Sequence, residues 1–192
     1  IKQCLVGSEM CIRDRLYQDK FAEAASALDN VIGVYSLVSD YGSQFLRFGE
    51  NGPESVFEIQ YSNQSNWYDW GCAHCSEGNY AIIMNGPRGW SGPEYAQGWS
   101  FNVPTEEFYN SFEEGDSRRD ATVLDIEAFA AATGASYTEG YDHTGYFNNK
   151  YIPRAGESGG QTELNYLTNF RIIRYSDVLL MAAEAYNRGG ID

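Results

Sequence analysis

Phe21, Ala25, Leu28 and Ile32 recur at spacings of four, three and four, while Asp19, Lys20, Glu23 and Asp29 fall largely off that stripe. Side chains three and four positions apart share one face of an α-helix, so residues 16–35 are predicted to form a helix that buries one side. A second helix is expected near the other end of the chain. There Val178, Met181, Ala182 and Ala185 form an apolar stripe that stops ahead of Gly189 and Gly190. Two amphipathic helices must each cover a stripe, which commits the ends of the chain to helix packing.

The stretch between them reads differently. "ESVFEIQYS" (54–62) alternates Phe57, Ile59 and Tyr61 against Glu58 and Gln60, the period of a half-buried strand with its apolar face inward. From Asn63 to Ser100 periodicity gives way to Gly, Asn, Ser, Pro and aromatic residues. "PTEEFYNSFEEGD" (104–116) has the signals of a short helix. Thr105 can cap it, Glu106 and Glu107 suit the positive end of its dipole, Phe108 and Phe112 lie one turn apart, and Gly115 can close it. "YFNNKYI" (146–152) is predicted to be a strand, and a Gly-rich loop over 155–163 leads towards the last helix.

Composition narrows the function. At 192 residues the chain can bury a sizeable core. Its 15 Tyr, 10 Phe and 4 Trp exceed what a core of that size needs, so aromatic rings are expected in loops and on surfaces. The net charge of −14 excludes a nucleic-acid partner, which demands clustered Lys and Arg, and disfavours strongly anionic ligands. A neutral or cationic partner is expected.

Enzymatic constellations are not selected by any spacing. Asp69, Glu77, Glu94 and Asp142 could pair as in a glycoside hydrolase, yet scattered carboxylates are what an acidic solvated surface supplies. His74 and His143 have no accompanying Ser or Cys motif, and no phosphate-cradling Gly loop is present. Asp116, Arg118, Arg119 and Asp120 fit a helix-end turn stitched by ion pairs. In "CAHC" (72–75), Cys72 and Cys75 have the gap of a zinc knuckle but lack a second pair, so a short-loop disulfide or two unpaired thiols is expected and no metal or other cofactor.

The segments "FAEAASALDNVI…YSLVSDY", "ESVFEIQYS", "GWSFNVPTEEFYNSFEEGDSRRDATVL" and "NKYIPR…NFRIIRYSDVLLMAAEAYNRGG", in this order, resemble the SusD/RagB family of outer-membrane nutrient-binding lipoproteins. The resemblance runs from about Leu16 to the end. It implies a mainly α fold, a tetratricopeptide-like array of helix pairs with a loop-rich subdomain holding short β-strands. It also implies a non-catalytic, surface-exposed glycan-binding subunit, lipid-anchored in the outer membrane, that delivers oligosaccharides to a TonB-dependent, SusC-like transporter. Family members are far longer, so the sequence reads as an internal fragment. Its expected organisation is a repeat helix over 16–50, a loop-rich ligand-binding subdomain over 51–165 and a repeat helix over 166–192. The alternative is a helical-repeat scaffold for protein interaction without glycan binding, to which a Trp-rich loop would be superfluous.

Residues 4–15, "CLVGSEMCIRDR", carry Cys4 and Cys11 and fit neither a helix, a strand nor a signal peptide. They resemble the translation of a transposase adapter used in sequencing-library preparation. Residues 1–15 are therefore expected to be a non-native tail.

Sugar rings present flat C–H faces that stack on Trp and Tyr, while their hydroxyls want amides and carboxylates at the rim. "NQSNWYDWG" (63–71) sets Trp67, Tyr68 and Trp70 beside Asn66 and Asp69, and "NGPRGWSGPEYAQGW" (85–99) adds Trp90. These six residues are the expected binding site for a neutral oligosaccharide or polysaccharide. Trp67 and Trp70 lead because their neighbours are polar, Tyr68 and Trp90 are weaker candidates, and Trp99 is assigned to packing.

Overall fold

The computed structural model describes residues 12–64, 70–159 and 165–190. Helix outweighs strand, 37% against 16%. In chain order the helices are α1 (Phe21–Asp29), α2 (Ala81–Met84), α3 (Glu106–Asn110), α4 (Arg118–Thr122), α5 (Ile126–Thr133) and α6 (Tyr175–Gly189). The strands are β1 (Ser55–Ile59), β2 (Arg88–Ser91), β3 (Val123–Asp125), β4 (Ser136–Thr138), β5 (Tyr146–Asn148) and β6 (Phe170–Arg174). Two compact units result, one from the described parts of Ile1–Ser39, Glu50–Ile59 and Arg171–Asp192, the other from Asp40–Gly49 and Gln60–Phe170.

The first unit is a helix pair with a two-stranded ribbon. Ala24, Ala25 and Leu28 of α1 share one core with Val178, Ala182 and Ala185 of α6. The alanines let the helices approach closely, and each fully buried Leu, Ile or Val stabilises the pair by about 1.5–3 kcal/mol. Gly190, at φ 58°, closes α6 in the left-handed conformation. The stripe of α1 ends sooner than its spacing predicts. After Asp29 the chain turns, so Val31 is buried and Ile32 is 39% exposed. Ahead of α1, residues 12–17 are helical, and Ile12 and Leu16 lie in the same core. The end of the adapter-like stretch thus has a packing role that its pattern does not show; Cys4 and Cys11 lie outside the described residues.

β1 pairs with β6, and here the predicted faces are inverted. Val56 and Glu58 are buried and Ile59 is 40% exposed, where alternation puts Phe57 and Ile59 inside and Glu58 outside. Arg171 on β6 causes the inversion: its guanidinium lies 3.5 Å from the Glu58 carboxylate and 3.9 Å from that of Glu50. The Asn51 N–H donates to Glu58 as well, at 3.2 Å. A carboxylate so answered can be buried where an unpaired one could not.

The second unit has two small cores. Tyr95, Leu124, Ile126, Phe147 and Ile152 form one, with Trp90, Val103, Phe129 and Tyr137 packed against it. The antiparallel pair β3–β5 aligns Leu124 with Phe147, and the antiparallel pair β2–β4 carries Trp90 and Tyr137. Helix α5 is started by Asp125, whose carboxylate accepts from the Ala128 N–H at 2.9 Å, and ended by Gly134 at φ 71°. Ile82, Ile83 and Tyr166 form the second core. The Pro-Thr helix is α3: Thr105 Oγ1 accepts from the Phe108 N–H at 3.1 Å, and the Phe108 and Phe112 rings meet edge to face at 5.3 Å.

Candidate functional site

The Trp-rich loop is closed at its base by bonds between residues far apart in sequence. The Ser62 N–H donates to the Glu77 carbonyl at 3.0 Å, which draws the two stems of the loop together. Asn165 locks the far stem. The Ser76 hydroxyl and the Gly78 N–H both donate to Asn165 Oδ1, the latter at 3.2 Å, and the Asn79 N–H donates to the Tyr166 carbonyl at 2.8 Å. Asn79 Nδ2 adds a bond to the Thr168 carbonyl at 2.9 Å. Gly78 is required by this approach, because a Cβ there would overlap the Asn165 backbone. Within the loop, Trp70–Cys75 is a kinked 3-10 turn pinned by a Cys72–Cys75 disulfide. The disulfide decides between the two thiol states left open by the sequence.

A loop with a rigid base and a short internal crosslink can present its tip without drawing on the core. Asn66, Trp67, Tyr68 and Asp69 lie outside the described residues, and of Trp70 only the backbone is described. The two later tryptophans are each partly buried against a core. Trp99 lies half-buried against Ile82, Ile83 and Tyr166, in agreement with its assignment. Trp90, partly buried, packs against the Tyr95 core: its ring lies 6.0 Å from those of both Tyr95 and Phe129, and its Nε1 is buried. The polar setting that suggests exposure in the sequence is local, whereas β2–β4 pairing brings Trp90 onto a core.

Around that core the charges are paired. Arg154 binds Glu94 at 2.9 Å and lies 5.2 Å over the Tyr95 ring, and the Tyr95 hydroxyl donates to Asn149 Oδ1 at 3.2 Å. Burial, with the Glu94 charge adding to it, pushes the Tyr95 phenol up to about 12, so it stays protonated as a donor. At the start of α4, Arg118 clamps Asp116 through Nε at 2.9 Å and Nη2 at 2.6 Å, and Arg119 holds Asp120 at 2.9 Å. These four residues form the predicted turn of ion pairs. Among the described residues, no group of three or more potential metal ligands forms and no helix is long and apolar enough to cross a membrane.

A feature that periodicity did not reveal lies next to the second core. Met84, Phe101, Asn148, Tyr151 and Phe170 line a cleft of about 330 Å³ together with further Asn side chains. Phe101 is 54% exposed and Phe170 40%. The only sequence signal was an aromatic residue beside Asn102 ahead of the Pro-Thr helix.

A unit built on a helix pair and a loop-rich unit with short strands define the class: a mainly helical protein of two compact units. The chain belongs to the SusD family, whose family model matches residues 53–190. SusD-like protein P2 of Formosa agariphila is 31% identical over 143 residues, 70% of this chain and 26% of that protein. A solved laminarin binding SusD-like protein is 36% identical with a TM-score of 0.85, over 94% of this chain and 43% of the other. Surface glycan-binding protein A from Bacteroides thetaiotaomicron, solved in complex with laminarihexaose, is 31% identical with a TM-score of 0.86, over 95% and 42%. The chain thus spans about a quarter of the curated relative and under half of these solved chains.

Proposed function

We propose that the full-length protein containing this chain captures neutral oligosaccharides at the cell surface and delivers them to a TonB-dependent, SusC-like transporter in the outer membrane. The observation that carries this reading is the likeness over 95% of the chain to a glycan-binding protein solved with laminarihexaose. The acidic charge balance agrees with a neutral ligand. In this reading α1 and α6 are part of a tetratricopeptide-like array that continues beyond the chain, and a lipid anchor holds the protein at the surface. Trp67 and Trp70, with Tyr68 beside them and Asn66 and Asp69 at the rim, stack on the sugar rings. Loop 63–76 supplies a stem that is held by Asn165 and the disulfide.

The test is a calorimetric and tryptophan-fluorescence titration of the full-length protein with laminarihexaose, maltohexaose, cellohexaose and mannohexaose. Saturable binding of at least one hexasaccharide is expected. No binding to any of them, with the helical circular-dichroism signal intact, would favour the scaffold reading instead.

A further inference from the structure

The backbone on either side of Phe101 is strained. Ser100 has φ 58° and Asn102 φ 52°, both in the left-handed region that non-glycine residues seldom enter. Such residues persist only where the surroundings over-determine them, and they cluster at binding sites. Here the surroundings do so through consecutive backbone bonds: Trp99 N–H to the Ile83 carbonyl at 2.9 Å, Ser100 N–H to that of Gly86 at 2.9 Å and Phe101 N–H to that of Met84 at 2.8 Å. The result is a large aromatic ring held in place, yet 54% exposed, at the mouth of the 330 Å³ cleft. The Arg88 guanidinium lies 5.8 Å over the ring, which steadies it further.

The lining has a chemical signature. Phe101, Tyr151 and Phe170 supply ring surface, with Tyr151 and Phe170 tilted at 32° and 5.0 Å apart. Asn102 and Asn148 supply carboxamides. Asn148 Oδ1 is engaged by the Lys150 and Tyr151 N–H groups, at 3.0 and 3.3 Å, while its Nδ2 makes no hydrogen bond among the described residues. Asn102 Nδ2 donates to Asn85 Oδ1 at 3.3 Å, and its own Oδ1 is uncommitted among them. No charged side chain lines the cleft among the described residues, although the chain carries a net charge of −14. Ring faces, a spare amide donor, a spare amide acceptor and no charge fit a neutral polyhydroxylated ring. An ionic ligand would find no charged partner in the lining itself, where Arg88 stands only over the outer ring of Phe101, and a purely apolar one would strand the amides. The volume lies at the lower end of small-molecule sites, which run from about 300 to 1,000 Å³.

We infer that the Phe101–Tyr151–Phe170 cleft is a second sugar-binding subsite, in which Phe101 stacks on a pyranose ring and Asn148 Nδ2 donates to one of its hydroxyls. This goes beyond the Trp-rich loop but rests on the reading that the protein binds neutral glycans. Two variants of the full-length protein test it, Phe101→Ala and Asn148→Asp. The second keeps an acceptor for the 150–151 turn and replaces the spare donor by a carboxylate oxygen that can only accept. The probe is laminarihexaose, or the hexasaccharide of the panel above that wild type binds most tightly. Phe101→Ala is expected to weaken binding about tenfold, the scale of one aromatic stacking contact. Asn148→Asp is expected to weaken it about fivefold, with unchanged melting temperature. Wild-type affinity in Phe101→Ala overturns the inference while leaving the proposed function standing, and hands the cleft to a protein partner. Should Phe101→Ala not fold, wild-type affinity in Asn148→Asp overturns it in the same way. If wild type binds no member of the panel, this inference falls together with the proposed function.

Discussion

The Arg171 guanidinium lies 3.5 Å from the Glu58 carboxylate, with 2% and 1% of the two side chains exposed. Glu50 stands on its other side at 3.9 Å. The Arg171 guanidinium at the start of β6 thus faces the buried Glu58 of β1 and the mostly covered Glu50. Their attraction offsets a desolvation penalty of several kcal/mol per ion, so the net value of the group is small but removal of its centre is not.

Arg171→Ala is therefore expected to destabilise the full-length protein by about 3–5 kcal/mol, because it removes the guanidinium that faces the buried Glu58 carboxylate. Urea unfolding monitored by circular dichroism gives the value. A loss below about 1 kcal/mol would show that water already reaches the group.

Gly78→Ala forces a methyl group into the Asn165 backbone. Overpacking of this kind costs about 1–3 kcal/mol, and here it acts on the stem of the Trp-rich loop. Faster amide exchange at Gly78 and Asn79 with unchanged exchange in α6 is the expected pattern. Identical exchange at positions 78 and 79 in variant and wild type would refute the locking of this stem by Asn165.

Trp90 and the pair Trp67 and Trp70 should respond in opposite ways. Trp90→Ala removes a ring packed on Tyr95 and Phe129, and is expected to lower stability by about 3 kcal/mol while the folded protein keeps its glycan affinity. Replacing Trp67 and Trp70 together by Ala should weaken glycan binding by about one to a few powers of ten and leave the melting temperature near wild type. Calorimetry and thermal melts on the same samples separate the two, and an exchanged pattern would place the stacking surface at Trp90.

Hydrogen bonds from the Arg118 side chain, and then from its N–H, hold the Asp116 carboxyl at about 2, below its ordinary 3.8. A lowered folded value means that the bond stabilises the turn above about pH 4 and loses that contribution as pH falls towards 2. Carboxyl carbon resonances should titrate with a midpoint near 2 in wild type and move up towards 3.8 in Arg118→Ala. An unmoved midpoint would assign the shift to another cause.

Reduction of Cys72–Cys75 opens a ring of very few residues, for which chain entropy predicts roughly 2 kcal/mol or less. Mild reductant is expected to leave the helical signal intact and to raise proteolysis within 63–76 only. Global unfolding on reduction would give the disulfide a role outside the loop.

Features that depend on neighbouring residues were legible in the sequence. Thr105 caps α3, Gly190 ends α6, and the stripe of α6 is buried as its spacing demands, because a helix turn brings these groups together wherever it forms. The motifs of the SusD family were legible for the same reason, as was Trp99, which sits inside one of them. What the tertiary structure decided depends on partners distant in sequence. Alternation in β1 shows that one face is buried but not which, and Arg171, far along the chain, draws Glu58 inside and leaves Ile59 in solvent. Trp90 has polar neighbours in sequence, yet Phe129 of α5 packs against its ring. The cleft at Phe101 needs Tyr151 and Phe170 to complete it, and no local pattern joins those three rings. Period and capping are properties of a backbone segment; the sign of a face and the walls of a site are fixed only when distant side chains supply the charge or the contact that makes burial favourable.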